Sequence, residues 1–214
     1  MGAGGRLTIA VPRGALLKET LDLLDAIGID TAEVRSNDRK LLFRDVGIIT
    51  MRPSDVPTYV EAGSADIGVT GKDVLIEQGE REVYELLDLG YGGCTMVLAS
   101  VAGDDPMEEA RRRLGMMRIA TKYPRTAERH FEATGRQVEV IEVKGSIELA
   151  PLIGLADGIV DLVATGRTLR ENDLEVREEI LECTARFVAN RVAHKLRARE
   201  VDELTAKLRE AIPG

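Results

Sequence analysis

The sequence predicts an α/β protein of two lobes, each built on a mostly parallel sheet flanked by helices. Short apolar runs alternate with amphipathic segments along the 214 residues, which is typical of strands joined by helices. The pattern G-x-x-D-[IL]-x-x-T-G occurs at 63–71 and again at 158–166. Apolar residues alternate from Leu174 to Val188, which indicates one long extended segment that returns to the first lobe.

The first half of the chain alternates predicted strands and helices. The apolar run from Leu7 to Val11 predicts a buried strand, and the amphipathic helix that follows ends at Gly28. The remaining predicted elements are strand-rich sequence over 33–51, a short helix from Pro53 to about Gly63, a strand in the first repeat copy and a helix from Lys72 to Gly79.

The second half continues the alternation. A helix begins at Asp104-Asp105-Pro106, and a last helix covers 201–211. Strands are predicted at 83–87, 94–100, 116–121, 138–143 and 159–164.

A cluster of glycines, Gly90, Gly92 and Gly93, separates two of these strands and predicts a hinge. We therefore expect lobe I to comprise 1–92 plus 184–214 and lobe II to comprise 93–183.

The composition excludes several classes of protein. The net charge of −8 and the aromatic content of 3% argue against nucleic-acid binding. Cys94 and Cys183 are far apart in the sequence, which argues against a disulfide framework and favours a reducing compartment. His130 and His194 are the only histidines, so we expect no histidine-based metal site or catalytic triad. No apolar run is long enough to cross a bilayer, which predicts a cytoplasmic protein.

The repeated pattern predicts two anion-binding turns. In each copy an apolar run ends at Thr-Gly and helix-like sequence follows, so each copy indicates a strand, a turn and a helix N-terminus with free N–H groups. Two such turns in two halves favour an anionic ligand at the carboxyl ends of the strands. The alternative is a chance similarity between glycine- and alanine-rich strands.

The second copy carries the stronger signal, because its groups suit a sugar phosphate. Gly166 allows close approach of the backbone, Thr165 and Thr168 offer hydroxyls, and Arg167 supplies positive charge. Two carboxylates precede this loop and are suited to accept hydrogen bonds from ribose hydroxyls, namely Asp157 and Asp161. The alternative is purely structural, with Asp161 capping a turn and Thr165 capping the helix.

Three further turns have anion-binding character and follow predicted strands in the same way. The first copy, Asp66 to Gly71, is followed by Lys72. The other two turns are Arg13-Gly14 and Lys122-Tyr123. Basic residues directly after parallel strands converge at the carboxyl edge of a sheet, which indicates a common anionic ligand.

The stretch from Gly145 to Leu169 closely resembles the signature of the ATP phosphoribosyltransferase family. Supporting similarity covers almost the whole chain, at Ile9-Ala-Val-Pro-Arg13-Gly14, Asp66-Ile-Gly-Val-Thr-Gly71 and Arg118-Ile-Ala-Thr-Lys122-Tyr-Pro124. The resemblance implies a type II periplasmic-binding-protein-like fold of two lobes. One departure is Arg13-Gly14-Ala15, where the family commonly has Lys-Gly-Arg.

The resemblance also implies the reaction and the partners. Adenine N1 of ATP attacks C1 of 5-phosphoribosyl diphosphate, giving 1-(5-phosphoribosyl)-ATP and diphosphate, with Mg²⁺ as cofactor bound through the substrate and no general base required. The chain looks like the short form, which lacks the C-terminal regulatory domain. Such forms work with a regulatory subunit resembling histidyl-tRNA synthetase, as a homodimer within a hetero-oligomer.

On this basis lobe II holds the phosphoribosyl diphosphate loop. The residues expected to bind phosphoribosyl diphosphate are Asp157, Asp161, Thr165, Gly166, Arg167 and Thr168. The candidates for the ATP or diphosphate side are Arg13, Gly14, Asp66, Gly71, Lys72, Lys122 and Tyr123. The competing hypothesis is a two-lobed cytosolic anion- or nucleotide-binding protein without catalysis.

Overall fold

The computed structural model describes residues 6–212. Its strands are, in chain order, β1 (Ile9–Pro12), β2 (Leu42–Phe43), β3 (Ile48–Met51), β4 (Ile67–Gly71), β5 (Val83–Asp88), β6 (Cys94–Val101), β7 (Met117–Thr121), β8 (Val138–Glu142), β9 (Gly158–Val163), β10 (Leu174–Cys183) and β11 (Ala185–Asn190). Its α-helices are α1 (Leu17–Ala26), α2 (Ala32–Ser36), α3 (Val56–Glu61), α4 (Lys72–Gln78), α5 (Pro106–Leu114), α6 (Pro124–Ala133), α7 (Leu149–Leu152), α8 (Arg167–Glu171), α9 (Arg191–Leu196) and α10 (Ala198–Ala211). Short 3₁₀ helices cover Gly14–Leu16 and Pro53–Asp55.

The chain folds into two compact units. Unit 1 contains the residues up to Gly92 and those from Thr184 onward, and unit 2 is Gly93–Cys183. Among the described helices, none has the length and apolar character needed to span a membrane.

The sheet of unit 1 has the strand order β2-β3-β1-β4-β11-β5. Strand β1 is parallel to both β3 and β4. Strand β11 lies between β4 and β5 and is antiparallel to both. The short strand β2 adds antiparallel to β3 at one edge.

The sheet of unit 2 has the strand order β10-β6-β9-β7-β8. Strand β7 is parallel to β8 and β9. Strand β6 lies between β10 and β9 and is antiparallel to both.

Both sheets are therefore mixed, whereas the sequence led us to expect mostly parallel sheets. The antiparallel pairs arise largely from β6 and β11, the first strand after each connection between the units. Strand β6 begins opposite Val163 at the carboxyl end of β9, and β11 begins opposite Gly71 at the carboxyl end of β4. A strand that enters a sheet at its carboxyl edge has to run against its neighbours.

Each sheet buries apolar side chains on both faces, because successive residues of a strand point to opposite sides. In unit 1, Ile9 and Val11 pack with the cluster that includes α1 and α10, while Ala10 packs with Val56 and Val60 of α3. In unit 2, one face packs against α7 and α8 and the other against α5 and α6. The helices thus cover both faces and leave the strand ends for the loops.

The structure differs from the sequence prediction around residue 33. Helix α2 occupies part of the stretch expected to be strand-rich. Asp25 explains the turn, because its carboxylate accepts hydrogen bonds from the Thr31 N–H at 3.0 Å and from Arg35 Nη2 at 2.7 Å. By contrast, the extended segment expected from 174 to 188 is confirmed as β10 and β11, with Thr184 between them.

Candidate functional site

The loop after β9 borders a cavity of ≈ 260 Å³ in unit 2. Its lining residues are Glu148, Asp161, Leu162, Val163, Ala164, Thr165, Gly166, Arg167, Thr168 and Leu169. The structure thus brings five of the six expected phosphoribosyl residues to one cavity. A larger cavity of ≈ 440 Å³ lies in unit 1 beside Leu7 and Leu204, and no predicted site residue lines it.

The backbone of this loop depends on Gly166. Its φ is 68°, in the left-handed region that favours glycine, and a Cβ there would lie 3.0 Å from Arg170 Nη1. The Thr165 hydroxyl is 3.4 Å from the Arg167 N–H, which makes it a weak cap at most. Thr165 and Thr168 are exposed, so both hydroxyls are available to a ligand.

Arg167 forms an ion pair within its own helix. Its Nε lies 2.8 Å from Glu171 Oε1, and both side chains are largely exposed. An exposed i,i+4 pair of this kind contributes a few tenths of a kcal/mol, about 0.3–0.5. A phosphate at the loop can therefore draw the guanidinium away from Glu171 at little cost.

Asp161 provides a largely buried carboxylate of the cavity. It lies inside β9, and its side chain is only 13% exposed. Lys122 Nζ, which follows β7, is 3.6 Å from Asp161 Oδ2. Burial raises the pKa of Asp161, Lys122 opposes the shift, and the negative charge of Glu148 adds to it. A hydrogen-bond donor and positive charge from a ligand would stabilise this carboxylate.

Glu148 is a second carboxylate of the cavity that the sequence analysis missed. It lies immediately before α7 and is half-buried. Glu148 lies within the stretch that carries the family resemblance. Its separation from Asp161 in the sequence did not indicate that the two side chains line the same cavity. Only the packing of α7 against β9 brings them together.

Asp157, the sixth residue of the predicted set, does not line this cavity. It precedes β9, whereas Thr165 follows it, and a six-residue strand separates its ends by roughly 20 Å. The Asp157 carboxylate accepts hydrogen bonds from the Arg118 N–H at 2.8 Å and from Arg118 Nη2 at 2.8 Å. Its role is to fasten β9 to β7 at the amino edge of the sheet.

Asp66 has the same position in unit 1, at the opposite end of β4 from Lys72. It precedes β4, whereas Lys72 follows β4. Its carboxylate accepts the Thr8 N–H at 2.8 Å and Arg197 Nη1 at 3.3 Å. Asp66 thereby joins the amino end of β4 to the residue before β1 and to the start of α10.

The structural repeat has a different register from the sequence pattern. Asp66 precedes its strand but Asp161 lies within its strand, so the two are not equivalent. The equivalent turns are G-x-A-D at 63–66 and 154–157, which begin with glycines at φ 70° and 73°. In both turns the alanine N–H donates to a carbonyl of the preceding helix, and the aspartate N–H donates to the neighbouring strand region.

We expect Asp157→Asn to lower the free energy of unfolding by about 1 kcal/mol at neutral pH, since Arg118 is partly exposed. Burial raises the pKa of Asp157, but the hydrogen bonds from Arg118 outweigh it and the pKa is lowered. The carboxylate therefore stabilises the fold above its unfolded pKa of about 3.9, and this contribution is lost as the pH falls towards the lower native pKa. Urea unfolding at pH 7 and pH 3 should show a gap between wild type and variant that narrows in acid. A gap independent of pH would contradict this explanation.

In unit 1, Lys72 belongs to a closed ring of polar contacts. Lys72 Nζ lies 2.7 Å from Glu85 Oε2, and Glu85 Oε1 lies 3.3 Å from Arg186 Nε. Arg186 also pairs with Asp88, whose Oδ1 accepts the Thr184 hydroxyl at 2.7 Å. The Lys72 N–H closes the ring by donating to the Thr184 carbonyl at 3.0 Å. An anion at Lys72 must therefore compete with Glu85.

The turn after β1 and the turn after β3 lie side by side in unit 1. The Arg13 N–H donates to the Met51 carbonyl at 2.7 Å, and the Arg13 guanidinium donates to the Asp38 carbonyl. Gly14 has a φ of 82° and open space around a Cβ position. Arg52 directly follows β3 and is exposed at the same edge. Arg52 was not among the predicted site residues, although a basic residue directly after a strand was the available signal.

Gly71 and Tyr123 each have a structural role in the turn to which they belong. A Cβ at Gly71 would lie 2.0 Å from Asp73 Oδ1, so the glycine allows this side chain to fold over the start of α4. The Tyr123 N–H donates to the Thr121 hydroxyl at 2.9 Å, and its ring packs against the core of unit 2. Lys122 is thus the member of the Lys122-Tyr123 pair that contacts a residue of the cavity, namely Asp161.

Comparison with known proteins shows similarity along the whole chain. The family model described as ATP phosphoribosyltransferase matches residues 52–210. ATP phosphoribosyltransferase of Rubrobacter xylanophilus is 53% identical over 211 residues, covering 97% of both chains. The enzyme of the same name from Desulfitobacterium hafniense is 47% identical over 215 residues, covering 96% of both chains.

Two solved structures share the fold. The ATP phosphoribosyl transferase (HisG:HisZ) complex from Thermotoga maritima matches with a TM-score of 0.80 and 36% identity, covering 97% of this chain and 98% of that chain. The structure of Tv2483 bound to L-arginine matches with a TM-score of 0.58 and 14% identity, covering 96% and 82%. The second likeness concerns the fold alone. Together the two matches confirm the expected two-lobed fold class.

Proposed function

The chain belongs to the ATP phosphoribosyltransferase family, pentosyltransferases that catalyse the first step of histidine biosynthesis, and we propose that the cavity after β9 is its phosphoribosyl diphosphate site. One observation carries this proposal. The exposed hydroxyls of Thr165 and Thr168 border the same cavity as the largely buried carboxylate of Asp161. A phosphate-binding loop beside a carboxylate matches the two ends of a 5-phosphoribosyl group.

Within this site, Thr165 to Thr168 hold the 5-phosphate. The backbone N–H groups after Gly166 and the two hydroxyls supply donors, and Arg167 supplies positive charge. Asp161 accepts hydrogen bonds from the ribose hydroxyls, and we assign Glu148 the same task because it lines the same cavity. Lys122 keeps Asp161 ionised when the ligand is bound.

The ATP and diphosphate groups are assigned to the basic turns of unit 1. Arg13 and Lys72 follow β1 and β4, and Arg52 follows the adjacent strand β3. Gly14 lets the backbone come close to an anion because its surroundings are open. Three cations at one sheet edge offset the net charge of −8, which otherwise repels polyphosphates.

In the family's reaction, a bond forms between adenine N1 and ribose C1 while the bond from C1 to diphosphate breaks. The leaving diphosphate takes the bonding electrons, and positive charge develops on the ribose ring. Adenine N1 is unprotonated at neutral pH, so the protein needs to orient the reactants and stabilise charge without removing a proton. The negative charge of Asp161 beside the ribose stabilises the developing cation.

Mg²⁺ is proposed as the cofactor that arrives with the diphosphate group. When bound, it neutralises charge on the leaving diphosphate. Mg²⁺ commonly binds one or two carboxylates together with substrate phosphates, and Glu148 and Asp161 provide such carboxylates at the cavity. Among residues 6–212, no three metal-binding side chains cluster, so the substrate's oxygens are the main ligands in this proposal.

A regulatory subunit resembling histidyl-tRNA synthetase is the proposed partner. The support is the Thermotoga maritima structure, which is a HisG:HisZ complex and aligns with nearly the whole of this chain. We propose that this chain forms a homodimer within such a hetero-oligomer, and that the assembly works in the cytoplasm.

The function is tested by mixing the purified chain with ATP, 5-phosphoribosyl diphosphate and Mg²⁺. The absorbance of the N1-substituted adenine should increase only when all three are present, and the increase should be measured with and without a HisZ-type subunit. Binding of both substrates with no product in either condition would favour the non-catalytic binding protein instead.

The raised pKa of Asp161, caused first by burial, predicts an acid limb in the pH profile. Below this pKa the carboxylate is protonated and accepts ribose hydrogen bonds poorly, so kcat/KM for 5-phosphoribosyl diphosphate should fall with decreasing pH. The fall should begin above the ordinary aspartate pKa of about 3.9. Because the substrate phosphates also titrate, the comparison is with Asp161→Asn, whose profile should lack this limb. An identical acid limb in both proteins would contradict the assignment.

A further inference from the structure

The two cysteines of the chain lie opposite each other in unit 2, although they are far apart in the sequence. Cys94 is the first residue of β6 and Cys183 is the last residue of β10. The antiparallel register pairs them directly. Side chains of directly opposite residues project from the same face of a sheet. Neither cysteine forms a disulfide in this structure.

The register satisfies the distance that a disulfide requires. Directly opposite residues in antiparallel strands have Cα atoms roughly 4.5 to 5.5 Å apart, and disulfides join Cα atoms roughly 4.4 to 6.8 Å apart. Strand β10 is an edge strand, and the cysteine pair is the last pair of its ladder with β6. The backbone at this point is therefore held by a neighbouring strand on one side only and can adjust to a bond.

We propose that Cys94 and Cys183 are a redox-responsive pair, which a peroxide converts into an intramolecular disulfide. Cys94 is partly exposed, whereas Cys183 is only 2% exposed. The Cys94 thiol releases its proton, the thiolate attacks one oxygen of hydrogen peroxide, and the O–O bond breaks to give a sulfenic acid and hydroxide. The released proton converts the hydroxide into the first water. The Cys183 sulfur then attacks the Cys94 sulfur, so that the S–S bond forms, the S–O bond breaks and a second water leaves. Two thiols lose two electrons in total, and the peroxide gains them.

The position of the pair determines what the bond does. Unit 2 begins at Gly93 and ends at Cys183, so the disulfide joins its first strand to its last strand. It closes a loop that contains almost the entire unit, and loops of this length lose much conformational entropy in the unfolded state when they are cross-linked. Oxidation is therefore expected to stabilise unit 2. Neither cysteine lines the substrate cavity, and the inference does not depend on the proposed function.

The test treats the full-length native protein with hydrogen peroxide and compares it with protein kept in dithiothreitol. The titratable thiols should fall from two to none, and the intact mass should decrease by two hydrogens. Proteolytic mapping should recover a peptide that joins Cys94 to Cys183. The Tm should rise by about 5 °C or more, and dithiothreitol should reverse every change.

The variants Cys94→Ser and Cys183→Ser serve as matched controls. Each retains one thiol, so neither should lose two hydrogens or gain stability under peroxide, and a surviving Cys94 should gain oxygen instead. Three results would overturn the proposal: persistence of both thiols in the treated wild type, addition of oxygen to both cysteines, or covalent dimers on a non-reducing gel in place of the internal bond.

Discussion

Replacing Asp161 with asparagine should reduce kcat/KM for 5-phosphoribosyl diphosphate by about 100-fold. The carboxylate is a largely buried hydrogen-bond acceptor of the cavity, and loss of a hydrogen bond to a charged group costs about 1.5–3 kcal/mol. The reduction should appear in kcat as well as in KM, because the negative charge also stabilises the cationic ribose of the transition state. Steady-state kinetics with saturating ATP and Mg²⁺ measure both parameters.

Asp157→Asn is the matched control, because it removes a carboxylate from the same segment but from the residue before β9, which does not line the cavity. It should lower the free energy of unfolding slightly. It should leave kcat/KM within about twofold of wild type, because a small loss of stability away from the site has little effect on the reaction. Asp161→Asn should not lower the Tm. A carboxyl whose pKa is raised in the folded state destabilises the fold as the pH rises above its unfolded pKa, and the amide removes this effect. Equal kinetic losses in the two variants would show that Asp161 has no special role.

Replacing Phe131 with alanine should lower the free energy of unfolding by about 4 kcal/mol. Phe131 lies on α6, is 0% exposed and packs with Ile119 of β7 and Val160 of β9. Arg136 covers its ring at 4.8 Å from the centroid, so truncation removes a cation–π contact as well as apolar burial. Urea or guanidinium unfolding followed by circular dichroism measures the loss.

Phe131→Leu is the control for this prediction. It keeps most of the buried volume and should cost about 1 kcal/mol. If the alanine variant lost no more stability than the leucine variant, the prediction would be wrong. The core of unit 2 would then have to repack around the lost volume.

Most of the fold followed from local patterns. Apolar runs located β1, β6, β7 and β9, and Pro106 after Asp105 located the start of α5, where the Asp105 carboxylate accepts the Met107 N–H. Strand direction was harder, because β6 and β11 are antiparallel as a result of where the chain enters each sheet. The direction of a strand depends on its long-range pairing, and the periodicity of the sequence carries no information about that pairing.

The site was predicted in part for the same reason. Thr165 to Thr168 form a continuous loop, so a local pattern sufficed to find them. Asp157 and Asp161 are close in the sequence, but Asp157 precedes β9 and Asp161 lies inside it. The spacing shared by the two repeats did not reveal this difference. Glu148 reaches the cavity only through the packing of α7 against β9, so nothing in its local sequence distinguished it. Arg52 directly follows β3, so the signal that identified Arg13 and Lys72 was present for it as well.

The placement of β11 has a consequence for the order in which the chain folds during synthesis. Unit 2 is a continuous segment, so all its strands are available once Cys183 has left the ribosome. Unit 1 cannot close its sheet at that stage, because β11 fills the gap between β4 and β5 and is made afterwards. The edges of β4 and β5 that later pair with β11 therefore remain unpaired while unit 2 folds. A nascent chain stalled so that only the residues up to 184 have left the ribosome should contain a folded unit 2 and an incomplete unit 1, which limited proteolysis of the nascent chain can detect.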